Sequence, residues 1–138
     1  MFGDFEAQRH WMEVTVNLAP RAWYVHGPDN DLQYWGLDYP PLSAHLSWLL
    51  GKLAVAFRHP ALVALHASRG HESRPARAFM RNTVLACDAI VFFTAACSYV
   101  AAAVPRGGHG LRRVGVLMQI TLVPALILID HGHFQYNC

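Results

Sequence analysis

The chain has 138 residues, the size of one domain or less. Of these, 54% are hydrophobic and only 14% charged, against about 25% charged in ordinary soluble domains, which points to a membrane rather than the cytosol. The net charge of +2 rests on ten arginines and one lysine, and no basic run is interleaved with aromatics, so a nucleic-acid partner is excluded.

The pattern predicts a short helix over Asp4–Asn17 with Asp4 as its N-cap. On it Glu6, His10 and Glu13 share a face with Arg9, while Phe5 and Met12 lie on another side. No charged n-region and apolar h-region open the chain; Gly3-Asp4-Phe5-Glu6 begins a polar segment at once. Pro20 ends the helix, and Pro28-Asp29-Asn30 is turn chemistry. Next comes Asn30–Leu42, with Asp31, Asp38, Tyr34, Trp35 and Tyr39 packed ahead of Pro40-Pro41. The two prolines push Tyr39 to extended geometry and allow a helix to start at Pro41. Two readings stay open for this stretch: a binding loop that presents Asp31 and Asp38, or a loop folded over its own aromatics.

From Pro41 onward Leu42, Leu46, Leu49, Leu50, Leu53 and Phe57 form one helix face, closed by His59-Pro60. One-sided and short, this helix is expected to lie at a membrane interface. Ala61–His66 reads as a second amphipathic piece, and Ser68–Pro75, with Arg69-Gly70-His71-Glu72, as a solvated connector that has a lesser chance of meeting a phosphate. Residues 79–104 are expected to hold a spanning helix, and within them Val84–Val104 meets the length with no charge except Asp88. That acid is functional by default inside a membrane, or it pairs with Arg81, or it packs in a bundle. Residues 105–113 form a tight basic loop and 114–129 a second, shorter span with Pro124 inside it. Arginines crowd both ends of the first span, so the charge rule leaves orientation open. Cys87, Cys97 and Cys138 make no disulfide framework and no zinc spacing.

If the two spans form a hairpin, the segment 1–78 and the tail 130–138 emerge on the same side. Carboxylates, imidazoles and aromatic faces then gather at one membrane surface, the outline of a site for a sugar or a phosphate. Asp4 is equally a cap or a base on these grounds. His131 and His133 suit a metal on a strand, yet no third ligand is fixed by spacing, and no metal is expected.

Four stretches in series carry a resemblance: Gly3-Asp4-Phe5-Glu6-Ala7-Gln8-Arg9-His10-Trp11-Met12-Glu13, Asp31 through Leu42, Ser68-Arg69-Gly70, and Asp130-His131-Gly132-His133-Phe134-Gln135-Tyr136-Asn137. In order and spacing they resemble the dolichyl-phosphate-glucose-dependent glucosyltransferases of the endoplasmic reticulum, the ALG6/ALG8 type. Within that family they are closer to the branch that adds the first glucose to the nine-mannose lipid-linked oligosaccharide than to the paralogue that adds the second. The resemblance implies an all-α membrane protein, part of a multi-pass glycosyltransferase of the GT-C type. It would contribute lumenal loop helices and about two transmembrane helices, both motif-bearing ends being lumenal and 105–113 cytoplasmic.

The implied partners are the lipid bilayer, dolichyl phosphate glucose as donor and the dolichyl-diphosphate-linked oligosaccharide as acceptor, with no cofactor. A β-linked donor giving an α-1,3 product means inversion, so one base and a phosphate leaving group suffice. The resemblance makes Asp4 the base, with Glu6, Arg9, His10, Trp35, Asp38, Tyr39, His131 and His133 as substrate contacts. Family members are much longer. Met1 lies two residues from Gly3 and the chain stops just after Asn137, so a fragment or incomplete form, inactive alone, is expected. Pro28–Asn30 and the stretch after Val104 match no family position. The remaining alternative is a truncated, non-catalytic module that binds within the membrane.

Overall fold

The structure is a computed structural model that describes residues 3–105, 110–125 and 127–128. Its elements are helices α1 (Asp4–Asn17), α2 (Pro41–Ala56), α3 (Arg74–Cys87), α4 (Phe93–Ala103) and α5 (Gly110–Thr121), with 3-10 turns at Pro20–Ala22 and Pro60–Leu62. No strand occurs among the described residues, only a single antiparallel bridge that closes the turn between Gly27 and Asn30. The chain divides into two compact units, Met1–Met80 and Arg81–Cys138.

In the first unit, α1 has the predicted bounds but not the predicted cap. Gly3 is the N-cap, with φ 85°, and Asp4 is the first helical residue. Glycine enters that left-handed conformation without a Cβ penalty, so Asp4 is not needed as the cap. Phe5 through Thr15 are all buried, so this helix is enclosed on every side despite its charges. Trp11 and Val14 join Ala7, Trp23, Leu37 and Ala44 in the apolar cluster, with Leu18, Trp35 and Tyr39 at its edge.

Helix α2 begins at Pro41 as expected, since a proline at the first helical position loses no hydrogen bond. The side it turns to α1 is made of small residues, not leucines: Ala44, Ser47, Gly51 and Ala54 are buried, with Leu50 beside them. Gly51 lets the helices close in, because a Cβ there would come within 2.5 Å of Val16 Cγ2 and 3.1 Å of the Met12 carbonyl oxygen. Of the leucine face only Leu50 is buried, and most of the rest is exposed. Leu42 is 83% and Phe57 65% exposed.

After α2 the amphipathic piece Ala61–His66 forms no α-helix. In its place the chain makes a 3-10 turn and then a series of turns to Gly70. Arg58 and His66 take left-handed φ values of 64° and 61°, and Leu62 and Val63 are buried. This irregular strap finds its polar partners on α1, as described below.

The long apolar helix starts earlier than the sequence suggests. Arg74–Ala103 is a continuous helical run of 30 residues, long and apolar enough to cross a membrane, about 45 Å at 1.5 Å per residue. Between α3 and α4 the residues Asp88–Phe92 form a π-helical turn, with Asp88 buried. The run is the one candidate span among the described residues. In the second unit α5 packs against α4, and Arg113 donates to the carbonyls of Ala101 and Val104, which α4 leaves unpaired at its C-terminus. The second expected span is shorter here: α5 stops at Thr121, and Pro124, which lacks an N–H, opens a new helical turn. Residues 106–109 and 129–138, including His131 and His133, lie outside the described residues.

Candidate active site

Helix α1 sets three of its charges on one face, because Glu6, Arg9 and Glu13 recur at steps of three and four. Arg9 is fully buried. Its guanidinium grips Glu6 with two parallel bonds, Nε to Oε2 at 2.9 Å and Nη2 to Oε1 at 2.6 Å. Both terminal nitrogens also donate to Glu13 Oε2 at 2.9 Å, and Nη1 reaches the Leu62 carbonyl at 3.0 Å and the Ser68 hydroxyl. A buried charge is tolerable only with this degree of pairing.

The strap 62–70 runs antiparallel along that face and is tied to it from end to end. Asn17 Nδ2 donates to the Val63 carbonyl at 2.7 Å, the His66 N–H donates to Glu13 Oε1 at 2.7 Å, and the Ser68 hydroxyl to Glu13 Oε2 at 3.0 Å. Gly70 N–H donates to Glu6 Oε1 at 3.1 Å. An irregular segment laid on a helix finds no free backbone partners there, so side-chain carboxylates supply them. Ser68 is completely buried. The connector reading of Ser68–Gly70 is therefore corrected: its backbone is built into the core while the Arg69 side chain stays exposed.

Opposing effects act on the two acids. Burial alone would raise the Glu13 carboxyl, but hydrogen bonds from His10, the His66 N–H and Arg9, with the Arg9 charge, hold it at about 2. Glu6 likewise would rise on burial, and Arg9, the Gly70 N–H and Tyr34 bring it below its ordinary value. Arg9 is held above its own ordinary value by the two carboxylates against the pull of burial. All three stay ionised at neutral pH.

The aromatic loop closes the site from the other side. Tyr34 donates its hydroxyl to Glu6 Oε1 at 2.8 Å, meets His10 edge-on at 5.1 Å between ring centroids, and lies beneath the Arg69 guanidinium at 4.7 Å. Burial, then Glu6, raises the Tyr34 hydroxyl above its ordinary value. His10 Nδ1 sits 3.0 Å from Glu13 Oε2 and is the donor to it; its Nε2 is buried with no hydrogen-bond partner among the described residues.

Of the expected site residues, Glu6, Arg9 and His10 come together, joined by Glu13, Tyr34, Ser68 and Gly70, which the sequence reading did not place in the site. Trp35 and Tyr39 lie elsewhere, at the edge of the apolar cluster. The Trp35 carbonyl accepts the Trp11 indole N–H at 2.9 Å, and the Tyr39 ring tilts over Trp11 at 4.9 Å. The loop packs its aromatics against the core and brings Tyr34 to the charged face. Asp38 is exposed. Asp4, in the first turn of α1, is two residues from Glu6 and so about 160° away around the helix, on the side of Trp11 rather than that of the charged cluster. Helical spacing already put Glu13 beside Arg9; the link from residue 13 to residue 68 has no period that could reveal it. Among the described residues no three His, Cys, Asp or Glu side chains gather as a metal site.

Comparison with known proteins adds the chemistry. Residues 1–138 match the family described as the ALG6, ALG8 glycosyltransferase family. A protein of Arabidopsis thaliana named probable dolichyl pyrophosphate Man9GlcNAc2 alpha-1,3-glucosyltransferase is 54% identical over 140 residues, covering 99% of this chain and 26% of that protein. The Rattus norvegicus protein named dolichyl pyrophosphate Man9GlcNAc2 alpha-1,3-glucosyltransferase is 50% identical over 137 residues, again 99% and 26%. A Schizosaccharomyces pombe protein with the same probable name is 45% identical over 138 residues, 100% of this chain and 26% of that protein. The chain thus spans about a quarter of the length of these relatives.

Proposed function

This chain belongs to the ALG6, ALG8 glycosyltransferase family, and from that premise we propose that it supplies the base-bearing segment of an α-1,3-glucosyltransferase acting in N-glycan assembly. The observation that carries the reading is identity near 50% along the whole chain to proteins named for that activity on Man9GlcNAc2. The acceptor in those names, Man9GlcNAc2, carries no glucose, which favours the first-glucose reaction over the second.

The donor is dolichyl phosphate glucose. A hydroxyl oxygen of the terminal mannose attacks the anomeric carbon of glucose from the face opposite the phosphate. The C–O bond to phosphate breaks, and its electron pair leaves on dolichyl phosphate. The hydroxyl proton passes to the Asp4 carboxylate. Inversion needs no covalent intermediate. The buried Glu6–Arg9–Glu13 cluster supports this role, because it pins α1 against the strap and the aromatic loop and so fixes the first turn that bears Asp4. Trp35 and Tyr39 offer partly exposed rings for sugar stacking, and His10, Asp38, His131 and His133 complete the proposed substrate contacts.

The protein is a multi-pass protein of the endoplasmic reticulum membrane with a GT-C fold. Residues 1–78 and 130–138 are lumenal, 79–104 and 114–129 span the bilayer, and 105–113 face the cytoplasm. The 30-residue apolar helix Arg74–Ala103 supports the first span.

The test uses the protein extended to the length of its relatives, in membranes, with dolichyl phosphate glucose and dolichyl-diphosphate-linked Man9GlcNAc2. The expected product carries one added glucose in α-1,3 linkage, assigned by NMR. No transfer, or transfer only to an oligosaccharide that already carries a glucose, would overturn the reading.

A further inference from the structure

We propose that Arg69 is a substrate-binding residue that holds the phosphate oxygens of a lipid-linked sugar, an assignment that rests on the glucosyltransferase reading above. The geometry around it is that of a cation prepared for an anion. Its two neighbours in sequence are anchored in the core: the Ser68 hydroxyl to Glu13 Oε2 at 3.0 Å and the Gly70 N–H to Glu6 Oε1 at 3.1 Å. The turns on either side are tight, with His66 and Gly70 both in the left-handed region, φ 61° and 68°, and with His71 N–H closing on the Ser68 carbonyl at 2.9 Å. The backbone at Arg69 is therefore fixed where that of an ordinary surface arginine would be free.

Its side chain is fixed as well. The guanidinium lies 4.7 Å from the centroid of the Tyr34 ring, and Tyr34 is held by its own hydrogen bond to Glu6 at 2.8 Å. Stacking occupies one face of the guanidinium plane and leaves the N–H groups, which radiate from its edge, free to donate. No carboxylate pairs directly with it among the described residues. Glu6 and Glu13 are instead bound to Arg9, and the one negative charge this buried trio keeps in excess helps to hold the Arg69 guanidinium over Tyr34. The same Tyr34 ring meets His10 edge-on, and the buried Nε2 of His10 has no hydrogen-bond partner among the described residues. A stacked, exposed guanidinium whose N–H groups carry no direct carboxylate partner matches tetrahedral phosphate oxygens, which accept two parallel N–H bonds. A neutral sugar hydroxyl would gain little from such a group.

Two lipids in the reaction carry that chemistry, the donor as a monophosphate and the acceptor as a diphosphate. The experiment compares wild-type extended protein with Arg69→Ala and Arg69→Lys, varying each lipid in turn and recording the thermal midpoint. Arg69→Ala is expected to raise KM for one lipid by about tenfold or more, the usual effect of losing a hydrogen bond to a charged group. Turnover at saturation and the thermal midpoint stay near wild type. Arg69→Lys falls between, since a point charge lacks the guanidinium fork. A rise for dolichyl phosphate glucose places the donor monophosphate at Arg69; a rise for the oligosaccharide lipid places the diphosphate there. Unchanged KM for both lipids would overturn the proposal, as would a loss that tracks a lowered thermal midpoint. Absence of transfer by the wild-type protein would instead remove the glucosyltransferase reading, and the role of Arg69 with it.

Discussion

Arg9 bears a full charge at a position with no solvent contact, and it can do so because two carboxylates, a hydroxyl and a carbonyl surround it. Removing it leaves Glu6 and Glu13 buried against each other with only neutral donors. Arg9→Ala is expected to cost about 3–5 kcal/mol, the range for breaking a buried ion pair from one side. Loss of folded extended protein from membranes and a lowered thermal midpoint would register it; a wild-type midpoint would show that the cluster does not hold the unit together. The same cluster sets an acid limit. Glu13 falls from an ordinary 4.5 to about 2 in the folded chain, so its stabilisation is present above about pH 4.5 and drains away as pH drops toward 2. That shift corresponds to about 3 kcal/mol. Glu13→Gln should flatten the decline in stability between those pH values, read as the thermal midpoint of the extended protein against pH. An unchanged slope would contradict the assignment.

At the scale of elements, the contact between α1 and α2 depends on a glycine. A Cβ at position 51 would press on Val16 Cγ2 at 2.5 Å and on the Met12 backbone, and Val16 is stiff at χ1. Gly51→Ala is expected to destabilise by about 1–3 kcal/mol, even though alanine is the better helix former by about 1 kcal/mol. A higher thermal midpoint would mean that the two helices have room to spare. This contact also shows where sequence reading runs out. Periodicity located α1 to the residue and the start of α2 at Pro41, because caps, prolines and apolar spacing are local signals. It said nothing of the face α2 packs on, since leucines dominate the pattern while Ala44, Ser47, Gly51 and Ala54 make the contact. The strap was not legible at all. Its polar residues look solvated until Glu6 and Glu13, more than fifty positions away, are seen to satisfy its backbone.

At the scale of the molecule, the first unit is a charged helix wrapped by its own chain, and the run Arg74–Ala103 leads from it into apolar sequence. The two features fit a protein that carries out polar chemistry beside a membrane. The four motif stretches made the family legible from sequence, whereas the burial of Glu6, Arg9 and Glu13 in one cluster, with Asp4 on a different side of the same helix, is visible only in the fold. The account therefore turns on Asp4 as the group that removes the proton. The most direct measurement is oligosaccharide profiling in cells that lack the first glucosylation step, given the extended protein with Asp4 or with Asp4→Asn. With Asp4 the lipid-linked pool should advance from Man9GlcNAc2 to the singly glucosylated form. With Asp4→Asn it should stay at Man9GlcNAc2 although the protein is present at normal abundance, a rate loss of about 10²–10⁴ for a missing general base. Normal glucosylation by Asp4→Asn would contradict the account and move the search for the base to the rest of the site.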